Sequence, residues 1–397
     1  MTRIATSTFQ NDSVSQMDAL EVALAGTQQQ LSTGLKVQNA ADNPTGMTTV
    51  NQLNTEISAS TQYVTNSNTA QTNLQLEEQA MSDASNVMQN VNTLAVEANN
   101  AALTAAQRGN IATELQQDLN QLVSIGNRTD SSGAYLFGGI ANASAPFSQS
   151  NNNVTYNGST QVNQVEISQN QSISTGDSGY TAFMNVPTGN GTFVTTAAST
   201  NTGSASISTG EVTAPNQYVN DNYSISFTDP TDYTVTDTTT GATVTSGTYS
   251  DGSAISFNGA QVTISGTPAA GDTFSVAPAG TTSAFSAISN LITTLQSTSL
   301  NNGQLATQIG SSIQQVQNTI TSFSNVSASA GSRLNAITAA QSAASTNQTN
   351  MKTNVSSITD VDYAAATTAL SSEELALQAA QESYASLEKM SLFQYLQ

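Results

Sequence analysis

The sequence predicts a mainly α-helical protein with a β insert. We expect an elongated antiparallel bundle of long helices built from both ends of the chain, with a small all-β domain in the centre. Apolar residues recur seven positions apart in both halves, which is typical of long helices packed against each other. A stretch rich in Gly, Thr and Ser separates the two series. The first series consists of Leu74, Met81, Met88, Ala95 and Ala102, and the second of Ile309, Val316, Phe323, Ala330, Ile337, Ala344, Met351 and Ile358.

Three helices are predicted before the β insert. The first runs from about residue 13 to 35 and ends before Pro44, because proline disfavours helix in the residue that precedes it. The second runs from about 45 to 100, which is roughly 80 Å at about 1.5 Å per residue. The third runs from about 104 to 128, where the apolar residues again recur at helical spacing.

The central stretch predicts β-structure because β-branched and aromatic residues alternate with polar ones. Asn157-Gly158 and Asn258-Gly259 each lie between alternating segments. We expect a hairpin turn at both pairs, because the two turn residues must adopt positive φ. The stretch 168–208 has a weaker pattern, and part of it is expected to be irregular.

Helical periodicity returns near Ala284, and the long C-terminal series follows a short break near Asn301. The pattern lapses around Ser356, and we expect Asp360 to cap a last helix. These breaks predict three domains. They are a terminal paired-helix domain of residues 1–42 and 356–397, a long-helix bundle with a β-hairpin of residues 43–167 and 283–355, and a β-rich outer domain of residues 168–282.

Composition excludes several classes of partner. The net charge is −20, and the seven Lys and Arg residues include none between Arg128 and Arg333. Nucleic acids and anionic membrane surfaces both require clustered cations, so we expect neither as a partner. No stretch reaches the ~18 apolar residues of a membrane span, and residues 1–13 lack the apolar core of a secretory signal.

The residue types also limit the chemistry. The chain contains no Cys and no His, so a Ser-His-Asp triad is impossible and a zinc site is disfavoured. We therefore expect no enzyme activity, metal or cofactor. Three carboxylates in the β insert could bind Ca²⁺ or act as acid and base, although solvated loop aspartates are the simpler interpretation. They are Asp229, Asp232 and Asp237. Glu77, Glu78 and Glu97 are expected on a solvated helix face.

Short apolar stripes lie near both ends of the chain, beyond the breaks at Pro44 and Ser356. The middle series should form the core of the monomer, whereas little else is available to cover these terminal stripes. An uncovered apolar stripe favours packing between subunits. The predicted assembly residues are Met17, Leu20, Leu24, Leu31, Leu370, Leu377, Tyr384, Leu387, Phe393 and Leu396.

Motifs at both ends resemble the bacterial flagellin-like family. Residues 30–36 read QLSTGLK and residues 39–44 read NAADNP, which is similar to the N-terminal signature of flagellins. Residues 365–396, which end in SLFQYL, are similar to the C-terminal flagellin helix. GAYLFGG at 133–139 and AGDTF at 270–274 look specifically like the hook-associated protein 3 family of hook–filament junction proteins.

The resemblance implies a function that composition alone does not indicate. It implies a structural adaptor exported through the flagellar type III channel, without a cleaved signal peptide and with the help of a chaperone. A ring of subunits would then sit between hook-associated protein 1 and the first flagellin. Paired terminal helices (D0-like) would form the inner tube, the long helices (D1-like) the next layer, and the β domain (D2-like) the outside.

Three other functions remain open on the sequence. A minor flagellin would polymerise on its own into a filament. A surface adhesin or glycan-binding protein would use the β domain. A hydrolase would use Asp229 and Asp232, and it ranks last because nothing near them resembles a substrate groove.

Overall fold

A computed structural model describes the backbone of residues 6–395 and the side chains of residues 8–386. Within this range the chain forms six α-helices, with all the strands between the third and the fourth. This order confirms the predicted fold class. The helices are α1 (Thr6–Thr33), α2 (Pro44–Ala98), α3 (Ala105–Gly126), α4 (Ala284–Gln296), α5 (Asn302–Thr359) and α6 (Tyr363–Tyr395).

Short antiparallel strands fill the central stretch of the chain. One sheet has five strands in the order β11-β10-β9-β14-β6, and another has β12, β13, β7 and β8. The strands are β1 (Phe147–Ser150), β2 (Asn153–Tyr156), β3 (Gln164–Ser168), β4 (Gln171–Ser174), β5 (Val186–Pro187), β6 (Phe193–Ala197), β7 (Ser206–Ile207), β8 (Glu211–Val212), β9 (Tyr223–Asp229), β10 (Asp232–Asp237), β11 (Thr243–Thr248), β12 (Ala254–Phe257), β13 (Ala260–Ser265), β14 (Thr273–Pro278) and β15 (Thr281–Thr282).

The chain divides into two compact units. The first consists of Met1–Tyr63 with Ser342–Gln397, and the second of Val64–Gln341. Helices α2 and α5 contribute residues to both units. The predicted division into three domains, with its bounds at residues 42, 167, 282 and 355, stays a prediction.

A four-helix core dominates the second unit. The C-terminal part of α2, both α3 and α4, and the first part of α5 share one apolar cluster. Helix α3 is fixed at its start by a capping box, in which Thr104 and Gln107 satisfy each other's backbone N–H groups. The middle members of both seven-residue series are buried, which confirms their predicted role in the core. Ala102 is an exception, since α2 ends at Ala98 and leaves it exposed.

Aromatic rings fill the centre of this helical core. Phe183 packs against Phe137, Phe147, Phe285 and Phe323 at centroid distances of 5.1, 5.4, 5.6 and 5.3 Å. Phe183 lies in a π-helical turn, Tyr180–Met184. The sequence did not predict this turn, because a single turn is too short to show a helical period. A segment expected to be partly irregular therefore supplies the central ring.

One of the two predicted Asn-Gly hairpins is confirmed. Asn258 and Gly259 join β12 to β13 with φ of +41° and +78°, the positive values that a two-residue hairpin turn requires.

The other predicted hairpin, at Asn157-Gly158, is wrong. The turns lie instead between β1 and β2 and between β3 and β4, where Asn151 and Asn170 have positive φ. Gly158 is required for space rather than for φ, because a Cβ there would lie 2.5 Å from the Tyr156 hydroxyl oxygen.

The β domain has its own apolar core between its two sheets, formed by residues from Phe193 to Val276. It is fixed to the start of α5 by hydrogen bonds. The Gln304 side chain donates to the Ala198 carbonyl at 3.0 Å, and the Ile207 N–H donates to the Thr307 hydroxyl at 3.1 Å. These bonds join the second unit's sheets to its helices.

The Asp272 carboxylate organises a loop of the β domain. It is only 2% exposed and accepts hydrogen bonds from the N–H groups of Thr202 at 2.8 Å, Gly203 at 3.1 Å and Ala269 at 2.8 Å. Replacing Asp272 with alanine should lower the free energy of unfolding by about 1–3 kcal/mol, because three backbone N–H groups lose their buried acceptor. Urea unfolding measures this. Exposed Glu211→Ala is the control, and equal effects of the two variants would contradict the assignment.

Candidate assembly interface

Helices α1 and α6 form an antiparallel pair in the first unit. The segments that follow α1 and precede α6 are joined by backbone hydrogen bonds. The Val361 N–H donates to the Gly34 carbonyl at 2.9 Å, and the Lys36 N–H donates to the Thr359 carbonyl at 2.7 Å. Leu35 and Asp360 form a β-bridge between them. Because the end of α1 meets the start of α6, the two helices run in opposite directions.

Gly34 ends α1 in a way that few other residues could. Its φ is +77°, and its N–H donates to the Gln30 carbonyl at 2.8 Å, as in a left-handed C-terminal cap. A Cβ at this position would also lie 3.1 Å from the Tyr363 hydroxyl oxygen of α6. The glycine of the QLSTGLK motif is therefore needed both to end α1 and to leave space for Tyr363 of α6.

Helix α6 is capped by Asp362, not by Asp360 as predicted. The Asp362 carboxylate accepts from the N–H groups of Ala364 at 3.0 Å and Ala365 at 3.2 Å. The break predicted near residue 356 lies a few residues later in the chain, because α5 continues to Thr359 and α6 begins at Tyr363. The last Ser and Thr hydroxyl groups of α5 find acceptors within the helix, since they donate to carbonyls three or four residues earlier.

The NAADNP motif forms the predicted break before α2. Asp42 accepts from the N–H groups of Asn39 at 2.9 Å and Gln38 at 3.0 Å, and these bonds lower the pKa of its carboxyl group, Asn39 most strongly. Asn43 caps α2 by accepting from the Gly46 N–H at 2.9 Å. Pro44 is the first residue of α2, where the missing N–H costs nothing.

The predicted assembly residues lie on regular faces of the paired helices. Along α1 and α6 the half-buried positions are spaced three and four residues apart, as in a coiled coil. The chain itself therefore provides a partner helix for each stripe. The half-buried residues are Met17, Leu20, Leu24, Leu31, Leu370, Leu377 and Tyr384. The side chains of Leu387 and Phe393, and all of Leu396, lie outside the described residues.

The two most exposed large apolar residues among the described side chains of these helices were not predicted as assembly residues. Val22 is 74% exposed and Leu375 is 68% exposed. Val22 lies two positions from Leu24, and Leu375 lies two positions from Leu377. Two positions are about 200° apart on an α-helix, so both residues point away from the half-buried faces. A search for apolar residues off the main stripe would have found them.

The paired helices carry like charges over the range in which side chains are described. Within that range all the charged residues of α1 and α6 are acidic, so both helices are negative. Their mutual repulsion opposes pairing and is screened by salt. The residues are Asp12, Asp18 and Glu21 on α1, and Glu373, Glu374 and Glu382 on α6.

The Asp residues considered for catalysis hold β-turns together. Asp229 accepts from the N–H groups of Thr231 and Asp232, and Asp237 from those of Thr239 and Thr240. The Thr231 hydroxyl, which also donates to Asp229, and then these N–H groups lower the pKa of the Asp229 carboxyl group, while the N–H groups of Thr240 and Thr239 lower the pKa of Asp237. Asp232 is exposed. Within the described residues, no group of three acidic side chains could hold a metal ion, and no helix is apolar and long enough to cross a membrane.

Glu77 contradicts the predicted solvated face of α2. Glu78 and Glu97 are exposed, but Glu77 is 2% exposed. The segment 175–179 covers it, and the Asp177 N–H donates to Glu77 Oε1 at 3.1 Å. The sequence could not indicate this burial, because the covering segment lies 100 residues away along the chain.

A groove of about 500 Å³ lies in the second unit between β6 and the helices α4 and α5. Thr, Ser, Asn and Gln side chains dominate its lining, and the lining includes neither a charged side chain nor an aromatic ring. A sugar-binding site commonly offers an aromatic face on which the ring can stack. The groove therefore gives no support to the glycan-binding alternative.

The chain matches three family descriptions. Residues 4–142 match the bacterial flagellin N-terminal helical region, and residues 313–396 match the bacterial flagellin C-terminal helical region. Residues 196–278 match the D2-like domain of flagellar hook-associated protein 1. The first two matches contain α1 and α6, respectively.

Similar proteins point to one group within this family. Flagellar hook-associated protein 3 of Escherichia coli is 31% identical over 150 residues, which are 38% of this chain and 47% of that protein. The Salmonella typhimurium protein of that name is 32% identical over 121 residues, which are 38% of its length. The matches thus span less than half of these curated relatives.

Solved structures match a larger part of this chain than the curated relatives do. The crystal structure of Xanthomonas campestris FlgL is 36% identical, with a TM-score of 0.70, and the match covers 76% of this chain and 98% of that one. The crystal structure of hook-associated protein 3 from Legionella pneumophila is 28% identical, with a TM-score of 0.73 and coverage of 78% and 98%. The chain belongs to the flagellar hook-associated protein 3 (FlgL) family, as the motifs at residues 133–139 and 270–274 indicated.

Proposed function

We propose that this chain is a structural adaptor at the junction between the flagellar hook and the flagellin filament. The α1–α6 pair carries the proposal. It is formed from both ends of the chain and held by backbone hydrogen bonds where α1 ends and α6 begins, and it exposes Val22 and Leu375 on its outward side. Family membership supports this function, because a relative from Legionella pneumophila is described as the flagellar junction protein FlgL.

The assembly residues have two roles in this proposal. Met17, Leu24, Leu370 and Leu377 hold α1 against α6, and the same half-buried side chains remain partly available to a neighbouring subunit. Val22 and its α6 counterpart, Leu375, contact the neighbour directly. Packing of these faces removes apolar surface from water, which favours the assembled ring over the free chain.

The partners follow from the position of the ring. Hook-associated protein 1 would lie on the hook side and flagellin on the filament side, with further copies of this chain around the ring. An export chaperone would shield the C-terminal helix before secretion, and the adaptor would work outside the cell in the flagellum. The mechanism is mechanical, with no enzymatic step, and the three-domain division would give it inner, middle and outer layers.

Immuno-electron microscopy of isolated flagella tests this function. An antibody against the β domain should label one narrow band between hook and filament. Flagella from a strain that lacks the gene provide the control for antibody specificity. Label along the whole filament, or filaments formed by the purified chain alone, would overturn the adaptor in favour of a minor flagellin.

A further inference from the structure

The carboxyl group of Glu77 is buried in the second unit with one of its oxygens unsatisfied. Oε1 accepts from the Asp177 N–H at 3.1 Å, but Oε2 is buried and contacts no hydrogen-bond donor among the described residues. An ionised carboxylate is unfavourable in this state, which is why buried acids tend to be neutral.

The groups around Glu77 come from three other segments. Arg333 of α5 forms a partly buried ion pair with the Asp177 carboxylate. A polar cavity of about 50 Å³ beside Glu77 is lined by Asp177 and, among other residues, by Asp130 and Tyr135 from the loop after α3. Glu77 and Asp177 thus share the guanidinium group of Arg333. These three side chains are neutral together only if one of the two carboxyl groups is protonated.

The electrostatic balance favours a proton on Glu77. Burial is the largest effect and, with the negative charge of Asp177, raises the pKa of Glu77 to about 8, although the Arg333 charge opposes the shift. A protonated Glu77 also gains a donor at Oε2, the atom that otherwise has no partner.

We propose that Glu77 carries a proton on Oε2 and donates a hydrogen bond from it to the Asp177 carboxylate. Glu77, Asp177 and Arg333 then form a clasp, held by this proton, between α2, the segment 175–179 and α5. The clasp fixes a segment that also bonds through backbone groups. The Thr175 N–H donates to the Asn163 carbonyl at 3.0 Å, and the Gly179 N–H donates to the Phe137 carbonyl at 2.8 Å. This segment leads directly into the π-helical turn that carries Phe183.

Removal of the proton should loosen the clasp. Since the folded pKa of Glu77 lies above its unfolded value of 4.5, the folded state binds more protons between these two values. The stability from the clasp is complete below about pH 4.5 and is lost as the pH rises through about 8. Across this window the unfolding equilibrium constant should rise by up to about tenfold per pH unit, the limit for one linked proton.

Urea unfolding of the full chain between pH 5 and about pH 9 tests the linkage. Wild type should unfold at progressively lower urea concentration as the pH rises. Glu77→Gln should fold and lose this dependence, because its amide donates to Asp177 at every pH. Glu78→Gln, at the exposed neighbouring position, is the matched control and should behave like wild type.

Infrared difference spectra of the wild-type chain provide a readout that needs no folded variant. A protonated carboxyl band should be present at neutral pH and disappear with an apparent pKa of about 8. A Glu77 carboxyl that titrates near 4.5, or identical pH slopes in wild type and Glu77→Gln, would overturn the clasp. Stabilisation of wild type by Ca²⁺ at alkaline pH, absent from Glu77→Gln, would show that the site takes a cation instead and would also overturn it.

Discussion

Replacing Phe183 with alanine should lower the free energy of unfolding by about 3–5 kcal/mol, the range for a large aromatic removed from a core. Phe183 is fully buried and contacts four other rings, so its loss leaves a cavity that the surrounding helices cannot easily fill. A loss of this size is a large fraction of a typical domain's stability. Thermal and urea unfolding, followed by circular dichroism, measure it.

Tyr180→Ala is the matched control for this prediction. Tyr180 lies in the same π-helical turn but is 44% exposed, so its truncation should change stability far less. Similar losses for the two variants would mean that the turn, and not the ring cluster, determines stability. An unchanged transition in Phe183→Ala would contradict the aromatic core itself.

Introducing aspartate at Leu377 should separate α1 from α6 and abolish junction assembly. The change places a charge on a half-buried face and adds to the negative charge that both helices already carry. Burying an unpaired carboxylate is costly, and repulsion between like charges increases the cost. Circular dichroism should show reduced helix content in the free protein, and swimming assays should show loss of motility.

The variant Leu375→Asp distinguishes the pairing of α1 with α6 from the assembly of subunits into the junction. Because Leu375 is 68% exposed, this variant should keep the helix content of wild type and still fail to form the junction. Normal motility of Leu375→Asp would exclude the outward face as the contact between subunits.

Removal of residues 360–397 should also abolish motility, because it deletes the whole of α6. The second unit should remain folded in this truncated chain, because its apolar clusters lie between Ala70 and Ile337. A soluble protein with a cooperative unfolding transition would confirm that expectation. A motile strain that carries the truncation would contradict the adaptor function.

Periodicity explains why so much of the helical structure could be predicted. A seven-residue repeat depends on residues close in sequence, and it located α2 and α5 to within a few residues. The Asn258-Gly259 turn was predictable for a similar reason, because local φ preferences decide it.

The predictions that were wrong concern residues whose surroundings come from distant segments of the chain. Glu77 is buried by residues around Asp177, and Gly158 is required by the packing of Tyr156 rather than by a turn. The sequence also could not divide the α1 stripe between the paired α6 helix and a neighbouring subunit, since spacing alone does not say which of the two each side chain meets. Such cases depend on tertiary structure, which overrides local preference.

The hydrogen bonds between the end of α1 and the start of α6 have a consequence for the order in which parts of the protein fold. The Lys36 ammonium group donates to the Ser357 carbonyl at 3.0 Å, and these two residues are 321 positions apart. A ribosome releases the first helix long before it makes the last, so α1 must wait for its partner through almost the whole of synthesis. Contacts so distant in sequence also form slowly. The second unit can fold during that interval, and the helix pair is then the final part of the molecule to close.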